Sequence, residues 1–114
     1  MKIQTDTRDG IVVLKPIGRI IGPASDEFRR AIFDEMKGSM ESPNFLFDFA
    51  GVPRIDSVGI GVLAGLHVSI AHRGGRVGVI NVSDNISSTF VMAKLITMFK
   101  HFKNENEAIV NLRA

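Results

Sequence analysis

The run Phe45-Leu46-Phe47-Asp48-Phe49 constrains the fold more than any other segment. It is nearly continuous in apolar side chains, where a strand with one wet face would alternate, so it predicts a central strand covered on both sides. Val77-Gly78-Val79-Ile80-Asn81-Val82 predicts a second such strand. Strands of this kind need helices to cover them, and the intervening stretches supply the pattern. After Gly22-Pro23, which suits a helix start with proline in the first turn, Phe28, Ala31, Ile32, Glu35 and Met36 keep a 3.6-residue period, apolar at all but Glu35, and Gly38 is placed to stop the helix. From Ser57 onward Ile60, Leu63, Leu66 and Ile70 define a second helix that runs to about Arg73 and ends at Gly74-Gly75.

Ser83 or Asp84 can cap a third helix carrying Ile86, Phe90 and Val91, and Asn104 with Glu107 resembles the start of a short terminal helix bearing Ala108, Ile109 and Leu112. Asp9-Gly10 is a hairpin signal between a short polar segment and the β-branched run Ile11 to Ile17, which predicts two antiparallel strands, and Met98 to Phe102 supplies a final edge strand. The resulting order is β, β, α, β, α, β, α, β, α. It predicts an α/β domain on a mixed sheet of four to five strands with about four helices, one unit over residues 1–114, with no internal repeat and no linker.

Composition narrows the function. Fourteen basic and 12 acidic side chains give a net charge of only +2; they are scattered, and no Lys/Arg stripe or basic-aromatic interleaving points to nucleic acid. The absence of cysteine removes disulfides, thiolate metal ligands and a cysteine nucleophile together. Met1 to Asp6 lacks the apolar stretch of a signal peptide, and no apolar run approaches the roughly 18 residues of a membrane span, so a cytoplasmic protein is expected.

Three catalytic or cofactor patterns fail on context. Gly59-Ile60-Gly61-Val62-Leu63-Ala64 matches the glycine pattern of dinucleotide-binding turns in form, yet it stands well beyond the end of its strand and lacks the acidic residue about 20 positions on. Small residues that let a helix start pack closely are the simpler explanation. Gly61 and Gly65 each weaken the helix by about 1 kcal/mol relative to alanine, which suggests close packing or mobility. His67, His72 and His101 have no metal-ligand spacing. A triad of Ser57, one of these histidines and Asp48 lacks a nucleophile elbow and an oxyanion loop. No enzyme, metal site or cofactor is expected.

Ser57 is left as the residue of interest. It follows Asp56 at the start of a helix, and an Asp or Ser there is a common N-cap that needs no further purpose. Ile55, Val58 and Ile60 surround that serine with apolar side chains at the positive end of a helix dipole, a place suited to docking and to an anion.

Phe47-Asp48-Phe49-Ala50-Gly51-Val52, then Ile55-Asp56-Ser57-Val58-Gly59-Ile60-Gly61-Val62-Leu63, Arg73-Gly74-Gly75-Arg76-Val77 and Asn81-Val82-Ser83 together resemble the STAS domain of bacterial anti-sigma factor antagonists, over essentially the whole chain. The resemblance implies partner switching. The unphosphorylated antagonist binds a serine kinase of the histidine-kinase-like ATPase fold, which doubles as the anti-sigma factor; phosphorylation of the serine in the Asp-Ser-x-Gly turn breaks that complex, and a PP2C-type phosphatase resets it. By this resemblance Ser57 is the phosphoacceptor and the chain acts as substrate; a monomer or weak dimer is expected.

Two departures stand out. Many members carry Gly-Glu-Leu-Asp where this chain has Gly18-Arg19-Ile20-Ile21, so Ile21 replaces an aspartate near the docking site, and Val58 stands where a second serine is frequent. From position, Asp56 is expected to cap the helix and orient the Ser57 hydroxyl, with Val58, Gly59 and Ile60 as an apolar docking rim and Ile21, Gly22 and Ser25 as a second contact patch. Arg54 is available to a phosphate or simply solvated. STAS domains also serve as permanent scaffold pieces and as small subunits of lipid transport systems, a non-switching alternative that Ile21 fits equally well.

Overall fold

The structure is a computed structural model that describes residues 2–38, 44–92 and 99–113. Its elements follow the expected order: β1 (Lys2–Arg8), β2 (Ile11–Ile17), α1 (Pro23–Gly38), β3 (Asn44–Asp48), α2 (Ser57–His72), β4 (Val77–Ile80), α3 (Asp84–Met92), β5 (Lys100–His101) and α4 (Glu105–Arg113). Among the described residues the sheet has the order β1-β2-β3-β4-β5. β1 and β2 pair antiparallel through the Asp9-Gly10 turn, where both residues take positive φ, and every later pair is parallel. The expected edge strand shortens to Lys100–His101, and Met98 lies outside the described residues.

Because each new strand is laid down next to the last, the helices that connect the parallel strands all return over one face. On that face Val12 and Leu14, Phe45 and Phe47, and Val77 and Val79 meet Phe28 and Ile32 of α1, Leu63, Leu66 and Ile70 of α2, and Ile86 and Phe90 of α3. The opposite face holds the alternate residues Ile11, Val13, Leu46 and Ile80, covered by Ala108, Ile109 and Leu112 of α4. Helical cover on both sides explains why β3 reads as a nearly continuous apolar run. Asp48 interrupts that run at the strand end, where its carboxylate accepts from Ala50 N–H and the Asn81 amide.

The helix ends are satisfied by the residues the pattern singled out. Ser83 Oγ accepts from Ile86 N–H at 3.2 Å, which resolves the third cap in favour of Ser83. Asn104 Oδ1 accepts from Glu107 N–H while Glu107 reaches back to Lys103 N–H. Arg76 Nη2 donates to the Asn111 and Leu112 carbonyls at the end of α4, and Arg73 Nη1 reaches the Met36 carbonyl near the end of α1. Of the apolar residues that α3 carries, Ile86 and Phe90 are buried and Val91 is exposed.

Candidate functional site

Two loops at the carboxyl ends of β2 and β3 are zipped together, and this zipper positions Ser57. Gly18 N–H donates to Gly51 O, Ile20 N–H to Arg54 O, and Asp56 N–H to Ile20 O, all within 2.9–3.0 Å; Ile20 and Ile55 form an isolated parallel bridge. The zipper carries each chain to a helix start, α1 on one side and α2 on the other. Both starts converge on the Asp56 carboxylate. As N-cap of α2, it accepts Gly59 N–H on Oδ1 at 2.9 Å. The same oxygen accepts the Ser25 hydroxyl at 2.7 Å, and Oδ2 accepts Gly22 N–H at 2.9 Å. Gly22 has φ +61, a left-handed conformation that favours glycine and aims its N–H across the gap.

Partial burial alone would push the Asp56 carboxyl up. The donors Gly59 N–H, Gly22 N–H, the Ser25 hydroxyl and Val58 N–H outweigh it and hold the group below its ordinary value. Asp56 is therefore an ionised acceptor that joins two helix N-termini.

The expected site residues divide by exposure. Ser57, the first residue of α2, is exposed, as are Val58 at 53 %, Ile21 at 42 % and Gly22. These lie at the adjacent helix starts that the zipper brings together. Gly59, Ile60 and Ser25 are buried. Ile60 belongs to the same buried stripe as Leu63 and Leu66, and a Cβ on Gly59 would stand 2.7 Å from Ile55 Cγ1 and 2.9 Å from Ile20 Cγ2. Close packing is thus the role of Gly59, whereas Gly61 and Gly65 face open space and have no neighbour that demands glycine. Arg54 is exposed.

Sequence reasoning misplaced Ser25 as a surface contact, although a signal was present: Ser25, Phe28, Ile32 and Met36 fall at one helical period, which extends the buried stripe to the serine. His67 packs edge-on against Phe99, His101 against Phe90, and His72 is exposed. No cluster that could hold a metal ion, and no helix long and apolar enough to cross a membrane, occurs among the described residues.

The sequence matches the family described as STAS domain over residues 2–108, nearly its full length. The chain belongs to the STAS domain family. Solved structures superpose on it closely. A Thermotoga maritima protein shares 22 % identity at a TM-score of 0.88, with 98 % of this chain and 95 % of that one covered. The anti-sigma factor antagonist SpoIIAA in its unphosphorylated form shares 21 % at 0.83, covering 98 % and 96 %. The Bacillus SpoIIAA in its phosphorylated form shares 22 % at 0.75, covering 98 % and 100 %. At these identities the likeness shows the STAS fold. No curated protein matches the chain by sequence.

Proposed function

We propose that this STAS domain is an anti-sigma factor antagonist that works by partner switching, with Ser57 as its phosphoacceptor. The observation that carries the reading is the exposure of Ser57 at the start of α2, beside Val58 and across from Ile21 on the zippered loop. A hydroxyl on that edge is open to another protein's active site, and the two exposed apolar side chains offer contact area next to it. Support also comes from the structurally similar SpoIIAA, solved in an unphosphorylated and in a phosphorylated form.

The partner is a serine kinase of the histidine-kinase-like ATPase fold that holds ATP. Ser57 Oγ forms a bond to the γ-phosphorus, the bond from that phosphorus to the β–γ bridging oxygen breaks, and ADP leaves with the electron pair. The hydroxyl proton passes to a base on the kinase, because the donors around Asp56 hold its carboxyl below the ordinary value and make it a weak acceptor of that proton. A PP2C-type phosphatase adds water across the phosphoserine bond and returns serine and inorganic phosphate.

Magnitudes separate folding from binding. The phosphate adds a charge of about −1.5 to −2. On the free domain it stays in water, near a helix start whose dipole offsets part of the repulsion from Asp56. In a complex it must be desolvated against the partner, and an unpaired or like-charge contact there costs several kcal/mol. Since about 1.4 kcal/mol is a factor of ten, affinity falls by about two orders of magnitude or more with the fold unchanged.

Incubation with the kinase and ATP followed by site localisation by mass spectrometry tests the assignment. Phosphate on Ser57 is expected; phosphate on Ser83, Ser87 or Ser88 in its place would refute it.

A further inference from the structure

Ser25 is the buried polar side chain of the described core, with no exposed surface. It occupies a place in the α1 stripe that the next members, Phe28, Ile32 and Met36, fill with apolar groups. A buried hydroxyl costs stability unless it is hydrogen-bonded, and the partner here is Asp56 Oδ1, 2.7 Å away and 31 residues along the chain. Capping α2 requires only the bond from Gly59 N–H. The donors from Ser25 and Gly22 are additional, and they come from the other helix start. Gly22 N–H holds Oδ2, whereas Oδ1, the oxygen that caps α2, is held from the other helix start by the Ser25 hydroxyl, so loss of that hydroxyl loosens the capping oxygen. The chain then continues directly from Asp56 into Ser57, the first residue of α2.

We propose that Ser25 is a positioning residue for phosphoryl transfer to Ser57, acting through the Asp56 carboxylate. The proposal rests on Ser57 being the phosphoacceptor. Ser25 is too deeply buried to meet a partner, so the docking surface is the same whether residue 25 is serine or alanine. What changes is how often Ser57 Oγ is presented in line: attack needs about 3–3.5 Å and an aligned approach, and a looser first turn reaches that geometry less often. Loss of the hydroxyl therefore lowers kcat and spares KM, while loss of a docking contact would raise KM.

The test uses the full chain, γ-labelled ATP and the purified serine kinase that phosphorylates the wild type, well below each variant's unfolding midpoint. Ser25→Ala is expected to lower kcat for Ser57 about tenfold with KM within about twofold, and to move the Asp56 titration, followed by its carboxyl ¹³C shift, to higher pH. Ser25→Thr, which keeps the hydroxyl, restores both; should its added methyl prevent folding, the split between kcat and KM in Ser25→Ala decides alone. An unchanged kcat in Ser25→Ala, with the wild type phosphorylated on Ser57, overturns the inference and leaves the Ser57 assignment intact. Absence of phosphate on wild-type Ser57 overturns both.

Discussion

Gly59 lies against Ile20: a Cβ at Gly59 would stand 2.9 Å from Ile20 Cγ2. That contact seats the start of α2 on the zippered loops, and it converts a glycine in an apparent nucleotide motif into a packing requirement.

Gly59→Ala is therefore expected to destabilise the domain by about 1–3 kcal/mol through overpacking, despite the better helix propensity of alanine. Gly61→Ala and Gly65→Ala, with nothing near their added methyls, are expected to stabilise it by roughly 0.5–1 kcal/mol each. Urea unfolding of the three variants distinguishes the positions. Equal effects would mean that the close approach at Gly59 does not exist in solution.

Ser57→Ala should keep the affinity of wild type for the kinase, and Ser57→Asp should lose much of it. Since Ser57 is exposed and Asp56 remains the cap, the unfolding midpoint of Ser57→Asp is expected within about 3 °C of wild type. Calorimetry of binding and of unfolding on the same samples checks both halves. Equal affinities for the two variants would favour a permanent scaffold over a switch.

Glu105 at the start of α4 receives Arg8 from β1 and Lys15 from β2, the latter at 3.2 Å. Burial raises its carboxyl, but hydrogen bonds and charge from Arg8 and Lys15 outweigh that and leave it below its ordinary value. A carboxylate depressed in the folded state contributes stability that is present above its unfolded pKa and lost as pH falls through the folded one. Glu105→Gln should lower stability at pH 7, by under about 1 kcal/mol because both basic partners are partly exposed to solvent. The loss should vanish in strong acid, below both values, as pH-dependent urea unfolding would reveal.

Asn44 ties three elements together at the start of β3. Its Nδ2 donates to Leu112 O at the end of α4, and its Oδ1 accepts Arg76 N–H ahead of β4, each at 2.8 Å. Asn44→Ala is expected to cost about 1–3 kcal/mol by leaving partly buried groups without partners. Amide exchange should quicken in α4 before it does in α2. Uniform quickening would argue against a local role.

The element order, the two-sided cover of β3 and the helix starts were all legible along the chain, because each follows from short-range periodicity and cap chemistry. Ile60 illustrates the limit: its period with Leu63, Leu66 and Ile70 marked it as core, while its closeness to Ser57 marked it as rim, and only packing decides between the two.

By itself the sequence determined that Ser57 opens a helix behind Asp56, and that this helix follows a buried strand in an α/β sheet. Tertiary structure decided what surrounds that serine. The Asp56 carboxylate is shared between two helix starts because Gly22 and Ser25, more than 30 residues away, are brought to it by parallel strand pairing and the zipper beyond it. No local pattern encodes such a meeting, since it depends on how two separate crossovers fall over the same face of the sheet.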